Sequence, residues 1–219
     1  MNESPLYFDH LTATPCTIEA KETLSEMINS HWASPWSPYH MGQKGVYKVQ
    51  ESLSSIDSCL KVGPEREFIL THSGAEATVL VLNGIEKKAI QKKKGIHIIA
   101  ALSERLPIMH ALDSLKQQHG AKVDLIPIGT KGYIEKEAIE ERITKETSLV
   151  LLPFVDLFSG VFQPLDTLYP LLKKWDIPLS VDVTLALKKA PLAIQDMEAD
   201  YITFDARLMG SPIGIGGLF

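Results

Sequence analysis

Six short apolar runs, separated by longer amphipathic stretches, recur along this chain: Glu67–His72 (EFILTH), His97–Leu102 (HIIAAL), Lys122–Gly129 (KVDLIPIG), Ser148–Val155 (SLVLLPFV), Pro178–Thr184 (PLSVDVT) and Tyr201–Ala206 (YITFDA). Each is bounded by Gly, Pro or polar residues, and several are apolar nearly throughout. A strand with one wet face alternates in polarity. A run without that alternation suits a strand covered on both sides, as in a parallel sheet between two helical layers. The stretches between the runs supply the helices. Thr17–His31 brings Ala20, Leu24, Met27 and Ile28 near one stripe, with Glu and Lys opposite. Gly42–Leu60 does the same with Val46, Val49, Leu53, Ile56 and Leu60. Glu76–Lys94, Leu106–His119, Glu135–Arg142 and Leu165–Trp175 complete the set. In a sequence whose last residue is Phe219, the Gly-rich Met209–Phe219 (MGSPIGIGGLF) is expected to end in a short strand, GIGGLF, and not to form a dinucleotide turn. The expected architecture is α/β: a three-layer sandwich around a mostly parallel, seven-stranded sheet, as one domain over residues 1–219.

Composition narrows the function classes. With 45% hydrophobic and 22% charged residues, the chain is globular in character. A net charge of −5 gives no overall attraction to nucleic acid or an anionic membrane. The longest apolar runs fall short of the ~20 residues a bilayer span needs. MNESPLYFDH lacks the basic-then-apolar order of a signal peptide, and a cytoplasmic protein is expected. Cys16 and Cys59 cannot build a disulfide framework and lack paired zinc-site spacing; they read as unreactive small residues, Cys59 on an apolar helix face. The 7 histidines are scattered, so no metal site is expected. Lys87, Lys88, Lys92, Lys93 and Lys94 gather at a helix end; a solvated face suiting the helix dipole is the first reading, a phosphate-binding surface the alternative. Trp32 and Trp36, beside Pro35 and Pro38, read as a loop that is either buried or a partner contact.

In open α/β sheets ligands bind at the carboxyl ends of the strands. Read in order, those ends carry His72-Ser73-Gly74-Ala75, Ser103-Glu104-Arg105, Asp156-Leu157-Phe158-Ser159-Gly160, Asp182-Val183-Thr184 and Asp205-Ala206-Arg207-Leu208. Ser73-Gly74-Ala75 matches the start of a Ser-Gly-Ala-Thr-Glu phosphate cradle, Gly160-Val161-Phe162-Gln163 a Gly-x-x-Gln, and Val181-Asp182-Val183-Thr184 a Val-Asp-Ala-Thr. Tyr7-Phe8-Asp9 and Ala13-Thr14-Pro15 look like an N-terminal strand and turn. In this order the motifs resemble the large domain of the class V aminotransferases, and among them the NifS-type cysteine desulfurases, which use pyridoxal phosphate.

The resemblance implies a Schiff-base lysine, an acid on the ring nitrogen and a backbone phosphate cradle. Asp182 and Ser73, Gly74 and Ala75 fall at the last two, as vestigial cofactor contacts; Ser-Gly is equally an ordinary N-cap and turn, and Asp182 a strand-end cap. Leu208 falls at the lysine position and Arg207 at the histidine before it. No lysine occurs from Ala190 to Phe219, and an always-protonated guanidinium is no substitute nucleophile. Arg105 takes the place of the stacking histidine, Leu157 that of the asparagine near the ring oxygen, and Leu185 that of a glutamine. Glu76 takes the place of the cradle threonine; at ~4 Å and an effective dielectric near ~20, like charge costs about 4 kcal/mol, more than the ~1.5–3 kcal/mol of a charge-assisted hydrogen bond. The C-terminal small domain, with its persulfide cysteine, is not in the sequence. The expectation is a cysteine desulfurase-like homologue with no catalytic residue and no bound cofactor, serving interaction or regulation. Its expected partners are a second copy or a protein of sulfur or iron-sulfur metabolism. Two alternatives remain open: a working pyridoxal-phosphate enzyme that borrows Lys188, Lys189 or a partner's lysine, and a small-ligand sensor around Asp182.

Overall fold

The computed structural model describes residues 6–219; Met1–Pro5, the first half of the segment read for a signal peptide, lie outside the described residues. Two helices come first, α1 (Ile18–Ser30) and α2 (His40–Leu60). Then strands and helices alternate: β1 (Ile69–Thr71), α3 (Gly74–Gln91), β2 (His97–Ala101), α4 (Leu106–His119), β3 (Lys122–Ile126), α5 (Lys136–Glu140), β4 (Thr147–Pro153), α6 (Leu165–Lys174), β5 (Leu179–Asp182), β6 (Tyr201–Asp205) and β7 (Gly216–Leu218). All seven strands join one sheet in the order β1-β7-β6-β5-β4-β2-β3. The five strands from β6 to β3 are parallel, and β7 runs antiparallel to both β1 and β6. Each apolar run of the sequence is therefore a strand, and GIGGLF ends in β7.

The unalternating runs have the expected cause. Ile98 and Ala100 of β2, with Leu149 and Leu151 of β4, pack under α3 and α4. Their neighbours Ile99, Ala101, Val150 and Leu152 face the opposite core, which Leu168, Leu171 and Leu172 of α6 cover. Each such leucine, isoleucine or valine, taken fully out of water, contributes about 1.5–3 kcal/mol, so both layers are held on firmly. Caps fix the helix ends. Thr17 accepts from the Ala20 N–H at 3.2 Å to start α1, and Gly120, at φ 64°, stops α4 in the left-handed conformation glycine adopts without strain. At the amino edge of the sheet His97 is fully buried, its ring nitrogens 2.8 Å from Thr147 Oγ1 and 3.1 Å from Asp124 Oδ2.

Two expectations need correction. Tyr7-Phe8-Asp9 forms no strand, because no neighbouring backbone pairs with it; Thr12 and Ala13 donate back to the Asp9 carbonyl at 3.1 and 3.3 Å and close a turn. The apolar stripe of α1 is only partly covered, with Leu24 and Ile28 exposed and Ala20 and Met27 half-buried, and α2 buries only Gly42, Gly45 and Leu60. Periodicity shows that a helix has an apolar face but not what that face meets. Cys59 correspondingly stands exposed on α2, and Trp32 and Trp36 are exposed, the latter at 95%. No described helix is long and apolar enough to cross a membrane, and no group of three metal-ligating side chains occurs among the described residues.

Candidate functional site

The carboxyl ends of β2, β4, β5 and β6 meet the start of α3. Ser73 caps that helix, its hydroxyl accepting from the Glu76 N–H at 3.1 Å. Glu76 does not project into the cradle. Its carboxylate turns back to accept from the His72 N–H at 2.6 Å and lies 3.1 Å from the His72 ring. The His72 backbone and ring hold it below the usual carboxylate range. This reciprocal capping is a box around the helix start, and it removes the like-charge clash expected from the sequence.

Another carboxylate occupies the place instead. Asp205, at the end of β6, accepts from the Gly74 N–H at 3.3 Å and from the Arg207 N–H at 2.9 Å. An anion at a helix N-terminus is favoured by the free N–H groups and the dipole, and here the chain supplies its own. Gly74 is small for a visible reason: a Cβ there would stand 3.0 Å from the Asp205 nitrogen and 3.1 Å from Arg105 Nη2. Ala75, the third cradle residue, is half-buried in the first turn of α3.

Arg105, just before α4, reaches across to Asp182 at the end of β5 and donates to its Oδ2 at 2.6 Å. Burial alone would weaken the guanidinium's hold on its proton, but Asp182, Glu104 and Asp205 together raise its pKa. The other Asp182 oxygen accepts from the Thr184 N–H at 2.9 Å, so the residue is at once a turn cap and an ion-pair partner. The Thr184 hydroxyl accepts from the Asp205 N–H at 3.0 Å. Thr203 and Thr78 then link Asp182 back to the Gly74 carbonyl through contacts of 3.5, 3.4 and 3.0 Å. The result is a closed polar ring joining the start of α3 to β5 and β6.

Leu208 is buried in a short 3-10 turn, Ala206–Met209. Lys188 is committed elsewhere, donating to the Met209 carbonyl at 2.8 Å, and Lys189 is exposed. Gln163 turns its Oε1 to the Ile134 N–H at 2.9 Å. Leu157 and Leu185 are half-buried. Glu104 is the residue that sequence reasoning left without a role. It is buried with Oε1 unpartnered, and burial, reinforced by the neighbouring Asp182, pushes its carboxyl up to about 8. Asp156 moves the other way: burial opposes ionisation, but the Ser159 and Phe158 N–H groups, at 2.7 and 3.0 Å, outweigh it and hold the carboxyl low. A signal for both was present, since Asp182 and Asp205 end a strand and Glu104 and Asp156 come soon after one.

These residues do not fit pyridoxal phosphate. The acid that would face its ring nitrogen is paired to Arg105, the helix start that would face its phosphate holds Asp205, and no amine stands at Leu208. The sheet order and helix placement nevertheless match a NifS-like α/β fold. Over 98% of this chain and 58% of the other, a solved NifS-like protein superposes with a TM-score of 0.89 at 22% identity. A structure described as SspA in complex with cysteine gives 0.88 at 23% identity, over 97% of this chain and 60% of that one. The chain belongs to the class V aminotransferase family, whose model matches residues 6–219. Among curated relatives, cysteine desulfurase IscS of Rickettsia prowazekii (strain Madrid E) is 27% identical over 216 residues, 98% of this chain and 52% of its own length. IscS of Clostridium botulinum (strain Kyoto / Type A2) is 28% identical, over 98% and 53%. The chain thus spans about half the length of the curated relatives it matches.

Proposed function

We propose that this chain is a non-catalytic homologue of the cysteine desulfurases, a single large domain over residues 1–219 that serves interaction or regulation in the cytoplasm. The single observation that carries this reading is the 2.6 Å pair of Arg105 with Asp182, in a site where Leu208 stands at the lysine position. A permanent guanidinium meets the acid a coenzyme ring would need, and a leucine has no electron pair with which to form a Schiff base. The relatives' identity as cysteine desulfurases supports a partner in sulfur or iron-sulfur metabolism. The partly exposed faces of α1 and α2 support a second copy of the chain as another partner.

The test is direct. Protein incubated with pyridoxal phosphate and dialysed is expected to stay colourless, and borohydride is expected to trap no adduct. A yellow complex whose reduced coenzyme maps to Lys188 or Lys189 would overturn the reading in favour of a working enzyme. Leu208→Lys combined with Arg105→His and Asp205→Ser is expected to bring measurable coenzyme absorbance to the same scaffold.

A further inference from the structure

The lysine tract at the end of α3 lies far round the fold from the polar ring, at the amino edge of the sheet. Lys88 and Lys92 are four residues apart and share one side of the helix. Lys93 then takes the left-handed conformation, at φ 52°, and reverses the chain. The Lys92 N–H donates to the Lys88 carbonyl, and the Lys94 N–H to that of Ala89, at 3.1 and 3.0 Å. This turn returns Lys94 to the mouth that Lys88 and Lys92 already border.

Together they line a cavity of about 70 Å³ with Thr147 and Ser148 of β4 and with Asp176. Thr147 is held from behind, its hydroxyl 2.8 Å from the buried His97 ring and accepting from the Thr144 N–H at 2.8 Å. Among the described residues, none of the three lysines has a carboxylate within ion-pair distance. Glu146 packs against Gly95 and lies outside the lining. Three lysines and one aspartate, Asp176, therefore line the pocket, in a chain whose net charge is −5.

We propose that this pocket binds a small oxyanion of the phosphate class, with Lys88, Lys92 and Lys94 supplying the charge. Lysine serves such sites as a mobile point charge, and the cavity is of a size for a single tetrahedral anion. A solvated basic face would spread its cations; here three of the five tract lysines border one cavity. The site is independent of the strand-end crevice and of whether that crevice is catalytic.

The test is a titration of the ¹⁵N-labelled full chain with inorganic phosphate, against potassium chloride at matched ionic strength. The amides of Lys92 to Lys94, Thr147 and Ser148 are expected to shift and saturate with phosphate and not with chloride. Lys92→Gln with Lys94→Gln is expected to weaken binding at least ~10-fold. Lys87→Gln with Lys93→Gln removes equal charge from residues outside the lining and is expected to change it less than ~2-fold. Glycerol 3-phosphate, run in parallel, separates the two sources of the group: tighter binding than inorganic phosphate assigns the pocket to a phosphate ester, equal or weaker binding to the free ion. Shifts that do not saturate, that chloride reproduces, or that both double variants diminish equally would overturn the proposal.

Discussion

At the scale of single residues, charge placement decides what the strand-end crevice can do. Glu104 is its least comfortable member, buried beside Asp182 with one oxygen unpartnered. Its folded pKa of about 8 lies above that of an unfolded glutamate, so the folded state favours the protonated form. The resulting stability is complete in acid, below the unfolded pKa, and is lost as pH rises from there to about 8. Over that window the loss is on the order of 5 kcal/mol. Glu104→Gln mimics the protonated acid and is expected to abolish this component. Urea denaturation at pH 5 and pH 9 is the check: the variant gains on the wild type only at the higher pH, and an equal gain at both would mean that ionisation is not the cause. Asp182 is a different matter, because removing its partner leaves a buried anion alone. Arg105→Ala is expected to cost about 3–5 kcal/mol in the same assay, and Arg105→Met with Asp182→Asn to recover most of it.

At the scale of elements, the fold holds its helices unequally. The helices α3, α4 and α6 each bury a leucine- or isoleucine-rich face, whereas α1 buries nothing. Amide hydrogen exchange is expected to follow this: the central strands β2 and β4 exchange last, and α1 exchanges at least ~100-fold faster, by local opening. Equal protection in α1 and β2 would show that something covers α1 in solution. The approach of β7 to α3 is the opposite extreme. A Cβ on Gly216 would fall on the Ser73 backbone and within 2.7 Å of the Gly74 nitrogen. Neither neighbour is a flexible side-chain tip, so Gly216→Ala is expected to destabilise by about 3 kcal/mol. The element order was legible from hydrophobic period because every central strand is covered on both faces. The short reach of β1 and the turn at Asp9 were not, since both depend on which backbone lies alongside.

At the scale of the whole molecule, exposed apolar side chains on the first two helices and their connection stand out: Ile28, Trp32, Trp36, Val49 and Leu53 among them. Exposed apolar side chains in such number are candidates for a contact surface. If a second copy covers it, sedimentation equilibrium is expected to give twice the chain mass, and Val49→Glu with Leu53→Glu to return it to one; wild-type protein that stays at one mass up to ~100 µM would refute that occupant. The sequence by itself determined the layers, the strand count and the absence of an amine at position 208, because hydrophobic period and residue identity are local properties. Only the tertiary structure decided that Asp205 sits on the start of α3, that Arg105 pairs with Asp182, and that Glu76 turns back on His72. Those choices depend on distances between residues as many as 131 positions apart, where charge is governed by burial and neighbours and not by sequence order.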